Sequence, residues 1–477
     1  MKKRIFLLIL FIFSSGISSC VLQETEENNP SVFFTPQTHF PSITPITGAT
    51  QNPEIQNPPT FTPLIPYSTA TPRKWAPPYY GTPGEPTQIT PIPHPAPVFH
   101  DPQSIIFLLL GSDKKKRSFR TDTMIVVIFR PEYRSVTLLS IPRDLFVYIP
   151  GWKMERINAA FQAGENRHYP GGGPALVKDT ILYNLGIDVD YYALVEFQGF
   201  KDIIDIFGGI EVPVVCPFTE LRPIEPHLDY NDENNLYLDT ISPGVVTMDG
   251  DTALWYVRAR KKTSDFDRTR RQQEMMRALY NQALSLDMIG KIPQLYEEIT
   301  QSVTTDFALV DALTLAPQIF DLPSSQIRSF YISSSEVTAW TTPQIAYVKI
   351  PKPYPLYDLL LRVLSPPDEE EQSRIGLVIE VWNGTPAREW EVLASERLHY
   401  AGYDTVINPS DRQNYSQTLI FDYTVEHDPQ HATNILNLFG LDEHRLIKFP
   451  DPSYPYDYKV VLGADYNPCF KPKEIIR

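Results

Sequence analysis

The chain has 477 residues and a net charge of −15, from 42 Lys and Arg against 57 Asp and Glu. Nucleic-acid affinity comes mainly from neutralised phosphates, so a chain this acidic is a poor non-specific ligand for nucleic acid. Its hydrophobic content of 42% is ordinary for a globular protein, and its length leaves room for two folded domains. The composition therefore favours a multidomain protein whose partners are not nucleic acids.

The N-terminus has the pattern of an export signal. Lys2, Lys3 and Arg4 precede the apolar residues 5–13, and residues 17–20, which end in Cys20, resemble a bacterial lipobox. The sequence thus predicts a lipoprotein signal peptide over residues 1–20, lipidation of Cys20 and a membrane-anchored, extracytoplasmic protein. The alternative is an uncleaved signal anchor, because residues 5–22 carry no charge and reach the lower limit of a spanning length.

Residues 21–103 are rich in Pro and Thr, and 19 of the 46 prolines precede residue 103. Such a segment cannot bury enough apolar surface to offset its ordering entropy, so it predicts a disordered tether. A coil of this length has an end-to-end distance of roughly 50 Å. The tether would hold the folded part near the membrane.

A first α/β domain is predicted over residues 104–348, because apolar runs typical of strands alternate with amphipathic helical segments. Strands are expected at residues 105–110, 124–129, 136–141 and 210–215, and helices at residues 174–185, 197–207 and 268–286. Residues 349–372 contain prolines and an acidic run, which predicts a linker. Residues 373–467 then form a second, smaller α/β domain.

Cys216 and Cys469 are the two cysteines that remain after Cys20. They are able to pair in an exported chain. They lie in different predicted domains, however, so we expect two unpaired thiols. The sequence has no CxxC or Cys/His cluster, which argues against a structural zinc site.

Five short segments rich in Arg and Asp lie between residues 110 and 273. Asp113 follows the first predicted strand and Asp122 precedes the second. Paired carboxylates at strand ends suit Mg²⁺, which is shared with substrate phosphates. Arg143 follows the third strand. Arg258 and Arg260 are two residues apart, so their side chains share a face if the segment is extended. Arg268 and Gln272 are four residues apart near a predicted helix N-terminus, where anions are favoured.

Each segment alone is better explained as a turn, a cap or a solvated helix face. Together they favour a metal-assisted pyrophosphate site, because Arg binds phosphate oxygens bidentately and stays charged. No GxxxxGK[ST] loop is present, so a nucleotide is not the expected ligand, and no GxSxG turn supports acyl hydrolysis.

These segments occur in the order of a known family pattern: LGSD at 110–113, RTDT at 120–123, SIPRD at 140–144, INAA at 157–160, YVRAR at 256–260 and DFDRTRRQQ at 265–273. Residues 104 to about 290 resemble the LytR–CpsA–Psr domain. The resemblance implies a three-layer α/β/α fold. It also implies Mg²⁺-dependent transfer of a glycopolymer from a polyprenyl-pyrophosphate carrier to peptidoglycan.

By motif, the resemblance implies that Asp113 and Asp122 hold Mg²⁺ and that Arg120, Arg143, Arg258 and Arg260 are catalytic. It assigns substrate binding to Arg268 and Gln272, and to Arg156, which stands where the family usually has Lys before INAA. Residues 373–467 are similar to the LytR-type C-terminal domain of many members. No role for that domain follows from the resemblance.

Three functional hypotheses remain at this point. The first is the phosphotransferase, with a membrane lipid-linked glycan as donor, peptidoglycan as acceptor, and Asp122 and Asp144 as candidate bases. The second is a pyrophosphatase that uses water as acceptor on the same lipids. The third is a non-catalytic module that binds wall polymer.

Overall fold

The computed structural model describes residues 92–98, 101–113, 120–225, 228, 232–284, 303–308, 315, 318–319, 322–425 and 428–471, except for the side chain at 206. The predicted signal peptide, Cys20 and most of the predicted tether lie outside these residues. No helix in the described part of the chain is long and apolar enough to cross a membrane.

The first domain is built on a six-stranded sheet in the order β11-β6-β1-β2-β3-β12. Its strands are β1 (Ile105–Ser112), β2 (Thr121–Arg130), β3 (Ser135–Ser140), β6 (Tyr191–Glu196), β11 (Val303–Thr305) and β12 (Ile327–Tyr331). The central strand β1 pairs antiparallel with β2 and parallel with β6. Burial on both faces explains why its sequence reads as a continuous apolar run.

Smaller strand pairs surround this sheet: β4 (Phe146–Tyr148) with β5 (Met154–Arg156), β7 (Ile210–Val214) with β10 (Gly244–Met248), β8 (Phe218–Pro223) with β9 (Leu236–Ile241), and β13 (Val337–Thr341) with β14 (Tyr347–Pro351). The described α-helices of this domain are α1 (Ala160–Asn166), α2 (Gly172–Leu185), α3 (Phe197–Ile206), α4 (Gly250–Arg258), α5 (Asp265–Ala283) and α6 (Pro353–Leu364). Single 3₁₀ turns at Ile157–Ala159, Glu233–Asn235 and Ser324–Gln326 complete it.

Apolar side chains fill both sides of the main sheet. Leu108 on β1 packs with Leu176 of α2 in one core, while Phe107 packs with Tyr280 of α5 in the other. Helices therefore cover both faces, and the predicted three-layer α/β/α fold is confirmed. The predicted end of α2 at Gly186 is also observed, with a left-handed φ of 69°.

The predicted linker over residues 349–372 is folded instead. It contains the end of β14, the helix α6 and the short helix α7 (Glu369–Ser373). Leu356, Leu359 and Val363 of α6 lie in the main core, at the spacing of one helix face. The prolines mark the start of this helix, with Pro at its first turn, so they mislead a composition-based reading.

The C-terminal domain has a five-stranded sheet in the order β16-β15-β19-β17-β18. Its elements are β15 (Val378–Asn383), α8 (Trp390–Tyr400), β16 (Asp404–Asn408), β17 (Leu419–Asp422), α9 (Pro429–Phe439), a 3₁₀ turn (Glu443–Arg445), β18 (Leu446–Lys448) and β19 (Tyr458–Leu462). The helices α8 and α9 share one apolar core with one face of this sheet.

Cys216 and Cys469 form a disulfide, so the expectation of two unpaired thiols was wrong. The expectation assumed that separate domains keep the cysteines apart. The C-terminal domain instead packs against the first domain, where Arg277 Nε of α5 lies 3.8 Å from Glu396 Oε2 of α8. Docking brings together two cysteines that are 253 residues apart in sequence.

Candidate functional site

The two predicted metal ligands leave the same end of the β1–β2 ladder. Gly111 pairs with Thr123 and Ser112 with Thr121, so Asp122 is an extra residue in a β-bulge. Asp113 follows Ser112 directly. Bulges re-aim side chains beside functional sites, and this one turns Asp122 out of the regular alternation of β2.

Arg143 lies in the loop after β3 and contacts both neighbouring carboxylates. Its Nη1 donates a hydrogen bond to Asp122 Oδ1 at 2.5 Å, and its Nε lies 3.6 Å from Asp144 Oδ2. Burial acts to lower the pKa of Arg143, but Asp122 and Asp144 outweigh it and the pKa is raised. Arg156, at the end of β5, lies 3.6 Å from the other Asp144 oxygen, so one carboxylate positions two guanidinium groups.

A second cluster is centred on Asp265, the first residue of α5. Arg268 Nη2 lies 2.6 Å from Asp265 Oδ1, Arg260 Nη1 lies 3.7 Å from the same oxygen, and Lys349 Nζ donates to Oδ2 at 2.6 Å. Burial raises the pKa of Asp265, but Arg268 and Lys349 outweigh it, so its pKa is lowered. A capping box between Ser264 and Asp267 fixes this end of the helix.

The two clusters face each other. The amide of Lys349 donates to the carbonyl of Asp144 at 2.8 Å, which joins β14 to the Arg143 loop. Burial lowers the pKa of Arg268, Asp265 opposes this, and repulsion from Arg143 and Arg260 adds to the lowering. The positive charge of Arg268 is therefore only partly compensated by Asp265, because Arg143 and Arg260 lie nearby.

Five cationic side chains meet four carboxylates in this network, namely Arg143, Arg156, Arg260, Arg268 and Lys349 against Asp122, Asp144, Glu155 and Asp265. The Nε atoms of Arg143, Arg156 and Arg268 are buried and have no hydrogen-bond partner among the described residues. Buried donors without partners are costly. The arrangement is one that an anion with several oxygens would complete.

Gln272 joins the α5 cluster to the sheet. Its Nε2 donates to Thr123 Oγ1 at 3.0 Å and to the carbonyl of Val257 at 3.2 Å. Its position one turn after Arg268 places it beside the β1–β2 ladder end. The predicted residues Asp122, Arg143, Arg156, Arg260, Arg268 and Gln272 are thus brought into one region.

Arg120 and Arg258 are exposed, as is Arg260. Arg120 immediately precedes β2, on the Asp122 side of the ladder. Arg258 ends α4, and its guanidinium lies 3.9 Å from the ring centre of Phe197. The condition under which Arg258 and Arg260 would share a face, an extended segment, is not met, because α4 continues through Arg258.

Sequence reasoning missed Lys349 as a member of the site. Only 4% of its surface is exposed, and it comes from a segment predicted to be a linker. A lysine buried beside an aspartate from another segment leaves no local sequence pattern. Asn158 of the INAA segment was also missed. Its backbone N–H donates a hydrogen bond to the backbone carbonyl of Arg143 at 3.3 Å.

The carboxylates fit a magnesium ion that takes most of its ligands from elsewhere. Asp122 Oδ1 accepts a hydrogen bond from Arg143, and Asp113 follows β1 at the same end of the β1–β2 ladder. No group of three or more His, Cys, Asp and Glu side chains that could hold a metal occurs among the described residues. Mg²⁺ is usually bound by one or two carboxylates plus phosphate oxygens and water, so this donor set suits it when a phosphate is present.

Comparison with known proteins identifies the family. The model of the LytR_cpsA_psr family matches residues 86–351, more than half of the chain. The chain belongs to the LytR–CpsA–Psr family. The matched region of this family member contains every predicted site residue from Asp113 to Gln272, and it ends two residues after Lys349.

Curated relatives of this LytR–CpsA–Psr protein include TagV of Bacillus subtilis, a polyisoprenyl-teichoic acid–peptidoglycan teichoic acid transferase. The two are 31% identical over 242 residues, which are 50% of this chain and 58% of TagV. A probable cell wall biosynthesis protein of Corynebacterium glutamicum, LcpB, is 37% identical over 167 residues, 35% of each chain. The chain thus spans about a third to three fifths of these two relatives.

Solved structures of similar LytR–CpsA–Psr proteins include TagV of Bacillus subtilis, with a TM-score of 0.44 and 27% identity over 55% of this chain and 97% of that one. TagT, solved in a complex named as LI-WTA, has a TM-score of 0.43 and 26% identity over 55% of this chain and 90% of that one.

Proposed function

We propose that this protein is a Mg²⁺-dependent phosphotransferase that moves a glycopolymer from a membrane polyprenyl-pyrophosphate carrier to peptidoglycan. The observation that carries the proposal is the surplus of cationic side chains over carboxylates at the start of α5 and the end of the β1–β2 ladder. The proposed location is extracytoplasmic, with the chain anchored to the membrane through a lipid on Cys20. Relatives named as teichoic acid transferases support the same reaction class.

In this reaction an acceptor hydroxyl attacks the sugar-proximal phosphorus, the P–O bond to the carrier phosphate breaks, and polyprenyl phosphate leaves. Arg143 and Arg268 would bind the pyrophosphate oxygens through their guanidinium groups. Arg260 and Arg156 would stabilise the negative charge that grows on the leaving phosphate. Mg²⁺ held by Asp113 and Asp122 would neutralise part of the phosphate charge.

Of the two candidate bases, Asp122 is the more accessible. Its side chain keeps 29% exposure, whereas that of Asp144 keeps 10% and lies between two arginines. An acceptor hydroxyl therefore reaches Asp122 more readily. A carboxylate that also binds Mg²⁺ is a weak base, however, so accessibility alone does not identify the base.

The test is to incubate the full chain with Mg²⁺, a short-chain prenyl-pyrophosphate glycan and a peptidoglycan fragment, and to analyse the products by mass spectrometry. We expect the joined phosphodiester, with a loss of roughly 100-fold or more in Arg143→Ala. The matched control is Arg412→Ala, since Arg412 is an exposed arginine that stacks on Tyr415 in the C-terminal domain.

Release of prenyl phosphate and glycan phosphate without the joined product would replace the transferase by a pyrophosphatase. Donor binding without any turnover would favour the binding module. Equal activity of Arg143→Ala and the wild-type chain would contradict the site itself.

A further inference from the structure

The β13–β14 hairpin carries an exposed apolar tip beside the candidate site. Ile345 and Tyr347 are 87% and 51% exposed. Ile345 also has a φ of 62°, a left-handed conformation that β-branched residues rarely adopt. The protein thus keeps an isoleucine where both backbone strain and exposure to water disfavour it.

The hairpin is also without charge. Residues 337–348 contain no Asp, Glu, Lys or Arg, in a chain in which 21% of the residues are charged. An uncharged, exposed loop can enter an apolar medium without desolvating an ion. Isolated exposed apolar residues are common, but an apolar residue at a strained, charge-free tip indicates a contact with something apolar.

One face of this hairpin leads to the site. Tyr347 and Lys349 are two residues apart on β14, so their side chains lie on the same face of the strand. Lys349 reaches Asp265, as described above. Tyr347 of the exposed tip therefore lies on the strand that contributes Lys349 to the proposed pyrophosphate site.

The other face of the hairpin meets the point where the N-terminal part of the chain enters the domain. Trp340 and Ile350 pack with Ile92 in one apolar cluster, and the carbonyl of Pro93 accepts a hydrogen bond from Tyr183 Oη at 2.8 Å. The segment with the predicted lipid anchor precedes Ile92. The hairpin thus lies between the entry of the anchoring chain and the site.

We infer that the tip of the β13–β14 hairpin, Ile345 with Tyr347, docks the domain on the surface of a lipid bilayer and brings the site to the carrier lipid. A net charge of −15 opposes approach to an anionic leaflet, so the contact has to be apolar. Aliphatic insertion with a tyrosine at the interface is the side-chain chemistry that a bilayer surface favours. The inference rests on the proposed function, because it assumes a donor embedded in the membrane.

The first experiment compares two donors for the full chain reconstituted in phosphatidylcholine vesicles. One donor has a long polyprenyl chain embedded in the vesicle, and the other has a short, water-soluble prenyl chain. In Ile345→Asp we expect kcat/KM to fall about tenfold with the embedded donor, from the lost burial of one isoleucine, and to stay within about twofold with the soluble donor. Asp tolerates the left-handed conformation, so the fold is preserved.

The matched control is Ile375→Asp, which places the same change at an exposed isoleucine just before β15. An equal loss with both donors would overturn the inference and show that the hairpin contacts the glycan or the acceptor. No loss with either donor would overturn it as well. A wild-type chain that uses neither donor would instead contradict the proposed function.

A second measurement does not depend on turnover. Tyr347→Trp places an indole at the tip, and vesicles with brominated acyl chains quench a tryptophan that inserts among the lipids. We expect more quenching than in the wild-type chain and more than in Tyr237→Trp, where an exposed tyrosine of β9 is changed in the same way. Quenching equal to that of the wild-type chain would overturn the inference, whether or not the enzyme is active.

Discussion

The two domains bury charge in opposite ways. In the C-terminal sheet, Glu380 and Lys459 are 3% and 8% exposed, and their Nζ and Oε2 atoms lie 3.3 Å apart. Tyr454 and Asn408 donate to Glu380 at 2.5 and 2.8 Å, and Lys459 lies 3.8 Å above the ring of Trp382. One cation meets one carboxylate there, and both carboxylate oxygens have partners.

The candidate site in the first domain lacks this balance. Cations outnumber carboxylates, and three buried guanidinium Nε atoms have no hydrogen-bond partner in the described part of the chain. Burial of charge is therefore not what distinguishes a binding site from a structural polar cluster. Unpaired Nε atoms do not distinguish it either, since Arg130, Arg277 and Arg374 outside the site also have them. The distinguishing feature is the surplus of cations, which an anionic ligand can satisfy.

The largest expected effect is on activity at the uncompensated cluster. Arg268→Ala should lower kcat/KM roughly 100-fold or more, because it removes a buried hydrogen-bond donor that stabilises the negative charge developing on the phosphate. Arg268→Lys should restore only a small part, since Lys lacks the planar fork of Arg. Steady-state assays with the short-chain donor measure both variants, and full activity of Arg268→Lys would show that charge alone suffices.

The balanced pair should respond in stability instead. Glu380→Ala leaves Lys459 buried without its carboxylate, so we expect a loss of about 3 kcal/mol in the free energy of unfolding. Activity per folded molecule should not change. Urea unfolding of the full chain measures the first quantity and the transferase assay the second. A loss of activity in the folded variant would contradict the separation of the two regions.

Lys349→Met tests the residue that joins the two parts of the site. Loss of one hydrogen bond between charged groups should allow Asp265 to shift, and we expect kcat/KM to fall about tenfold. Lys349→Arg should recover part of the loss because it keeps the cation. A purely structural role for Lys349 would appear as reduced thermal stability with unchanged kinetics in the remaining folded protein.

The smallest expected effect is a pH dependence of stability. The pKa of Asp265 lies below its usual 3.8, so the ionised carboxylate stabilises the folded state above about pH 4. That stabilisation is lost as the pH falls through the lowered pKa. The difference in unfolding free energy between the wild-type chain and Asp265→Asn should be constant from pH 5 to 7 and shrink below about pH 4. A difference that grows on acidification would contradict the assigned direction.

The sequence predicted much of the fold because local patterns determine it. The apolar run of β1 and the helices over α2 and α3 are all visible within a few residues. It also placed Arg143, Arg268 and Gln272 in one site, since the ordered segments carry them together. What it missed depends on contacts between distant segments, such as Lys349 with Asp265 and Cys216 with Cys469.

The helical turn at Arg258 was missed for another reason. Two arginines spaced by one residue suggest a shared face only if the backbone is extended, and α4 continues through the first of them. The prolines in the first turn of α6 led to the wrong prediction of a linker in the same way, because proline favours both linkers and the first turn of a helix. In each case one local pattern allowed two backbone conformations.

The most direct test of the central claim is calorimetric titration of the full chain with geranyl pyrophosphate in the presence of Mg²⁺. The uncompensated cluster predicts saturable binding of one ligand per chain, weakened about tenfold or more in Arg268→Ala and unchanged in Arg412→Ala. No saturable binding, or equal affinity in the wild-type chain and Arg268→Ala, would contradict the claim that the surplus guanidinium groups form a pyrophosphate site.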